Sequence, residues 1–236
     1  MFLARKKLYS QTNEPAHIPL DQRRIVQTAI LLLNEIGLKE LSMRKIADSL
    51  GVKTASLYYH VKDKDELLQL LCDTISEELV WPDSSLEWKE QLLQWGLNFR
   101  QLLHAYRDSV DIFLSSIALS HNRLLQIEKL FRLLADAGFD DQHIPWASSM
   151  LKNYVFGFVT EEAQMAAHAK AKAVSSAELT ETYHNAYTQL PAEHFPTMTR
   201  LAAYTTDPDW ESEFRYGMGV LIDGFTMRLA AKGKHH

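Results

Sequence analysis

The sequence predicts an all-α chain, a small N-terminal three-helix unit followed by a larger helical domain, and three observations carry that prediction. Apolar residues recur at helical spacing over long stretches. No run alternates β-branched and polar residues at the two-residue period of a strand. Helix breakers are few, 9 Gly and 7 Pro in 236 residues, and most fall between the periodic stretches.

Taken in order, residues 1–19 are polar, carry Pro15 and Pro19, and read as a flexible extension. A first helix starts at Leu20 or Asp21 and ends at Gly37, with Ile25, Ala29, Leu32, Leu33 and Ile36 as its apolar stripe. Ser42 is placed to cap a second, short helix that stops at Gly51. A third runs from Thr54 to His60. Asp63 caps a fourth, whose apolar face is Leu67, Leu68, Leu71, Ile75 and Leu79. Trp81-Pro82-Asp83-Ser84-Ser85 then breaks the chain. Helices follow near 86–105, 107–116, 121–137, 143–169 and 176–188. A stretch punctuated by Pro191, Pro196 and Pro208 is assigned no helix, and a last helix covers 209–231. The division expected is an extension over 1–19, a first domain over 20–66 and a second over 67–236.

The net charge of -5 conceals an uneven spread. Residues 1–65 hold 11 Lys+Arg against 7 Asp+Glu, a net of +4, so the remainder carries -9. A basic head on an acidic body points to a polyanionic partner for the head, although a few lysines placed by chance would give the same count. The single cysteine, Cys72, excludes an intrachain disulfide and fits a reducing, cytoplasmic setting. No apolar run approaches the ~20 residues that span a bilayer, and the N-terminus lacks the apolar core of a secretory signal, so no membrane partner is expected.

The informative segment runs from Leu41 to Lys64, LSMRKIADSLGVKTASLYYHVKDK. Two short helices that cross closely need a small residue at the contact, and Ala47 supplies it. The tight turn between them needs a positive φ, and Gly51 supplies it. Ile46, Leu50, Val52 and Leu57 are left to bury the inner faces. The second helix then offers Thr54, Ala55, Ser56, Tyr58 and Tyr59 outward, as a helix lying in a major groove must.

These residues carry a family resemblance. The run from Leu20 to Leu71 resembles the helix-turn-helix DNA-binding domain of the tetracycline-repressor (TetR) family. The matching pieces are Leu41-Ser-Met-Arg-Lys-Ile-Ala, Leu50-Gly-Val and Leu57-Tyr-Tyr-His-Val-Lys-Asp-Lys-Asp-Glu-Leu-Leu. The resemblance implies roles by position. Arg44 reaches a base or a phosphate; Thr54, Ala55 and Ser56 read base edges; Tyr58 packs on the sugar-phosphate backbone, with Tyr59 beside it; His60 and Lys64 hold phosphates. Met43 and Thr54 stand where tetracycline repressors carry a threonine and a glutamine, so a different operator sequence is expected. Lys53 is a further phosphate candidate or a plain surface lysine. Arg5, Lys6 and Lys7 read as a disordered basic tail in preference to a groove-binding arm.

The last helix carries Trp210, Phe214, Met218, Leu221, Ile222, Phe225 and Leu229, with Gly217, Gly219 and Gly224 on or beside that face. Glycine costs ~1 kcal/mol inside a helix, so three of them imply close approach of another backbone. A seam between two chains explains this, as does burial inside one chain. The family packs its last helix and the helix matching 143–169 into an intersubunit four-helix bundle. That resemblance selects a homodimer, with Trp210, Phe214, Met218, Leu221 and Phe225 at the interface.

A weaker resemblance reaches the ligand domain of tetracycline repressors, through Trp88-Lys-Glu, Phe99-Arg100, Tyr106-Arg107-Asp108, Gly138-Phe139 and Phe158-Val-Thr-Glu161. That class binds a drug-chelated Mg²⁺ through a histidine; here Phe113 stands at the matching position and cannot ligate a metal. Trp95 replaces a drug-contacting asparagine, and Val80 a contacting histidine on the fourth helix, while Phe99 and Glu161 match. The expectation is an effector without metal or other cofactor, held by Trp95, Phe99, Phe113, Phe131, Trp146, Met150, Tyr154 and Phe158, with Asn98, Asn153 and Glu161 as polar handles. Each of these, taken singly, also fits ordinary core packing.

Nothing reads as an enzyme. His121, His143, His168, His184 and His194 are scattered and form no His-x-x-x-His pair. Glu161 and Glu162 are sequence neighbours on different helix faces. Cys72 lies in an apolar stripe, and there is no phosphate-binding glycine loop or nucleophile elbow. The function expected is a ligand-responsive repressor that leaves a palindromic operator when an apolar or aromatic molecule binds; activation and simple ligand carriage remain open.

Overall fold

The computed structural model describes residues 19–206 and 209–232, so Arg5, Lys6 and Lys7 lie outside the described residues. Among the described residues there are eleven helices and no strand. The head comprises α1 (Gln22–Ile36), α2 (Met43–Leu50) and α3 (Thr54–Leu57). Next comes α4 (Lys64–Glu77), then the body: α5 (Trp88–Ala105), α6 (Ser109–Ser115), α7 (His121–Asp136) and α8 (Ile144–Ala171). The chain closes with α9 (Ser176–Thr188), α10 (Pro196–Thr206) and α11 (Trp210–Lys232).

Local chemistry sets the head. Asp21, Ser42 and Asp63 each accept a hydrogen bond from the backbone N–H three residues on, capping α1, α2 and α4. Gly51 ends α2 in the left-handed conformation, φ 68°, which lets Val52 turn back onto the core. Ile25, Ala29, Leu33, Leu41, Ile46, Ala47, Leu57 and Val61 are buried together. The third helix is shorter than expected. Four residues are α-helical, and Tyr58–His60 continue as a turn closed by the His60 and Val61 N–H groups on Leu57 O.

Two side-chain joints fasten head to body. At the end of α1, Leu38 N–H donates to Asp108 Oδ2 (2.7 Å), Arg107 N–H to Asn34 Oδ1 (2.9 Å), and the Arg107 guanidinium to Glu35 O (2.8 Å). On α4, the Asp73 carboxylate accepts from the backbone N–H of Asn122 and Arg123 and so caps α7, whose own Ser120 makes no side-chain cap. Thus α4 packs against α1 on one side and α6 and α7 on the other, and the buried apolar cluster runs unbroken from head to body.

In the body, α5, α8 and α11 pack around Leu92, Trp95, Phe99, Leu103, Leu151, Val155, Phe214 and Met218. Arg100 on α5 ties the three together. It bonds Glu162 on α8 and Glu211 on α11 and lies over the Phe158 and Phe214 rings. The stretch assigned no helix contains α10, because Pro196 opens it at the first position, where a missing N–H costs nothing. It pairs with α9, which packs on α8.

Candidate nucleic-acid interface and effector cavity

The head presents its expected residues outward. Tyr59 is 88% exposed and Tyr58 52%. Lys53, Ala55 and Lys64 are exposed, and Thr54, Ser56 and His60 are half-buried at the edge of the same surface. Leu57 alone in α3 is buried, and it fixes the roll of the helix so that the others face solvent. Arg44 is exposed at the start of α2, in a loose 3.8 Å pair with Asp48 that solvent screens. Gln22 Nε2 donates to His60 O (3.2 Å) and holds the turn after α3 against α1. Lys64 is the first residue of α4, where the helix dipole and backbone N–H groups favour an anion.

Below α4 lies a cavity of about 290 Å³, bounded by α5, α6, α7 and α8. Trp95, Phe99, Phe113 and Phe131 line it, together with Ser76 in the last turn of α4, Leu79 just beyond that helix, and Phe156. The rings form a connected cluster, with Phe99 and Phe113 centroids 6.0 Å apart and Phe113 and Phe156 also 6.0 Å apart.

The other expected lining residues lie elsewhere. Trp146 and Met150 sit across α8 on an open groove facing α11, and Trp146 is 64% exposed. Asn153 and Glu161 line a separate shallow groove beside α6. Tyr154 and Phe158 pack on Phe214 of α11, with ring centroids 5.4 and 5.1 Å away. Asn98 Nδ2 donates to Val80 O outside the cavity. The physical reason is the pitch of α8. Its cavity face is Pro145, Ser148, Ser149, Lys152 and Phe156. The residues expected from the sequence lie on the neighbouring faces, where Trp146, Met150, Tyr154 and Phe158 make a more apolar pattern than the cavity face does. Val80, expected on the fourth helix, falls beyond its end and is exposed.

The apolar stripe of α11 also needs correction. Phe214 and Met218 have no accessible surface within one chain, so they have none to bury against a second. Trp210 packs edge-on against Phe158. Gly217 is explained inside the chain, since a Cβ there would lie 2.2 Å from Tyr154 Oη. Of the expected interface residues, Leu221 and Phe225 reach the groove between α8 and α11, beside the exposed Trp146, Met150 and Val220.

Sequence reasoning missed Arg123 and Lys152, both of which line the cavity. Arg123 donates to Phe113 O (2.8 Å) and to Ser116 O and Oγ (3.0 and 2.8 Å), closing the C-terminus of α6. Burial pulls its pKa below the usual arginine value. Cys72 on α4 is buried against the same place, its Sγ 3.1 Å from Ser116 Oγ and 3.4 Å from Ile112 O, and burial pushes its thiol pKa up. Among the described residues no group of three or more His, Cys, Asp or Glu could hold a metal. No described helix is long and apolar enough to cross a membrane.

Comparison with known proteins matches both parts. Residues 25–71 match the family "Bacterial regulatory proteins, tetR family", and residues 81–229 match "Tetracyclin repressor-like, C-terminal domain". The chain is 31% identical to the tetracycline repressor protein class C of Escherichia coli over 217 residues, covering 89% of this chain and 93% of that one. It is 28% identical to the class D protein of the same organism, covering 90% and 92%. Among solved structures it is similar to the Streptomyces coelicolor TetR family protein ActR in complex with actinorhodin, with TM-score 0.80, 30% identity, and coverage of 90% and 99%.

Proposed function

The chain belongs to the tetR family of bacterial regulatory proteins, and from that premise we propose that it is a homodimeric repressor which grips a palindromic operator and releases it when a small apolar or aromatic molecule enters the cavity under α4. It is a DNA-binding regulator and not an enzyme. In this reading residues 20–66 are the DNA-binding unit, 67–236 the effector and dimerisation unit, and 1–19 an extension. Thr54, Ala55 and Ser56 read base edges, and Tyr58 and Tyr59 pack on the backbone. Arg44, Lys53, His60 and Lys64 hold phosphates. The observation that carries the reading is the solvent-facing side of α3 and its turn, Thr54, Ala55, Ser56, Tyr58 and Tyr59, held there by the buried Leu57.

Two heads must sit one DNA turn apart, ~34–36 Å, to meet successive major grooves. The exposed apolar face shared by α8 and α11, with Trp146, Met150 and Val220, supports pairing of two chains there. Leu79 lines the cavity just beyond the last turn of α4, and α4 also packs on α1. A ligand in the cavity therefore presses on the element that sets the head's position. To switch nearly all molecules it must prefer the released state by ~5.5 kcal/mol.

The test starts from genomic fragments enriched by the purified protein. Fluorescence anisotropy on the best duplex then compares wild type with the Tyr58→Ala/Lys64→Ala double variant. Loss of two backbone contacts per head is expected to weaken binding at least tenfold. Undiminished affinity in a folded double variant would remove the repressor assignment.

A further inference from the structure

The cavity is apolar in its walls and cationic in its charge. Arg123 and Lys152 line it, and no Asp or Glu does. Among the described residues neither cation forms an ion pair. Arg100, elsewhere in the body, shows what an inward-facing arginine ordinarily has, namely two carboxylate partners. Asp73 on α4 spends its carboxylate on backbone and amide N–H groups at the start of α7. Both side chains are half-buried at the cavity wall with no acidic partner among the described residues, so an anion entering the cavity meets two cations free to hold it.

We infer that the effector is an aromatic anion, its ring system seated among Trp95, Phe99, Phe113 and Phe131 and its acidic group held by Arg123 and Lys152. The inference rests on the effector reading above and narrows it from apolar or aromatic to aromatic and acidic. The two cations are mounted on one ring cluster. Arg123 Cζ lies 5.1 Å from the Phe113 centroid, Lys152 Nζ lies 5.4 Å from that of Phe156, and those rings are neighbours. An acid attached to a flat ring system thus finds stacking surface and charge in one place. Gln126, Ser148 and Ser149 add neutral polar groups at the wall.

Arg123 has a second duty, closing the C-terminus of α6, and that duty alone would explain its position. Lys152 has none. Its ammonium makes no hydrogen bond or ion pair among the described residues and lies over the Phe156 ring. The two roles of Arg123 are also connected, because Ser116 Oγ, which it bonds, contacts Cys72 of α4. An anion that draws the guanidinium toward itself therefore competes with the bonds that hold α6 closed beside α4.

The test compares two probes of one skeleton on the full chain: 8-anilino-1-naphthalenesulfonate, an anion, and N-phenyl-1-naphthylamine, which lacks the sulfonate. Equilibrium fluorescence titration at neutral pH is expected to show the anion binding about tenfold more tightly. Arg123→Gln would also uncap α6, so Lys152→Met carries the test. It is expected to weaken the anion about fivefold or more and to leave the neutral probe unchanged. Equal affinity for both probes, or a ratio untouched by Lys152→Met, overturns the inference and leaves the effector cavity standing. Absence of saturable binding by either probe removes the cavity reading itself, and the inference with it.

Discussion

Gly37 carries the joint between head and body. Its backbone, φ 81° and ψ 166°, lies in a region open almost only to glycine. A Cβ there would also lie 2.9 Å from Asp108 Oδ2 and 3.0 Å from the Arg107 guanidinium, the two groups that fasten the end of α1 to the body. Gly37→Ala is therefore expected to destabilise the protein by about 1–3 kcal/mol in denaturant unfolding. A midpoint equal to wild type would show that the joint is slack. The positive φ at Gly51 was readable, since a tight turn between two short helices needs it. The need for glycine at position 37 was only half readable. A helix end could be inferred, whereas contact with Arg107 and Asp108, 70 residues away, has no local signal.

Helices with one apolar face were read correctly, and helices with several were not. The stripe of α4 is buried throughout, and that of α1 is buried at Ile25, Ala29 and Leu33, with Leu32 and Ile36 half-buried at its edges and Val26 buried beside it. By contrast, α8 packs on α5, on α7 and on α11, so apolar residues surround it. Trp146, Met150, Tyr154 and Phe158 were the conspicuous residues, yet the cavity face runs through Ser148, Lys152 and Phe156. A serine, a lysine and one ring do not announce a binding face. The same ambiguity placed Phe214 and Met218 of α11 at an interface when they pack inside the chain.

The clamp between α5, α8 and α11 makes its own prediction. Burial raises the pKa of Glu162, but hydrogen bonds from Arg100 and His104 outweigh it and leave the carboxyl below the usual value of 4.5. A carboxylate depressed in the folded state stabilises fully above its unfolded pKa, and that contribution is lost as pH falls through the folded value. Wild type should therefore lose melting temperature on acidification from pH 5 toward pH 3 more steeply than Glu162→Gln, which has no such proton to take up. Parallel slopes for the two proteins would contradict the clamp.

At the scale of the molecule, charge and chemistry are separated along one chain. The basic head projects polar and aromatic groups, the acidic body encloses an aromatic cavity, and α4 touches both. The fold class and the head were legible because the turn, the caps and the residues flanking α3 are local features. The cavity was legible only as an aromatic cluster. Its cations depend on how α7 and α8 rotate against each other, which tertiary packing decides.

The central claim is that two basic heads seat on duplex DNA together, and the salt dependence of binding tests it most directly. If Arg44, Lys53 and Lys64 from each of two heads make about six phosphate contacts, log affinity for the enriched duplex should fall against log salt with a slope of about -5. A slope near zero, on duplex that the protein itself selected, would contradict the account.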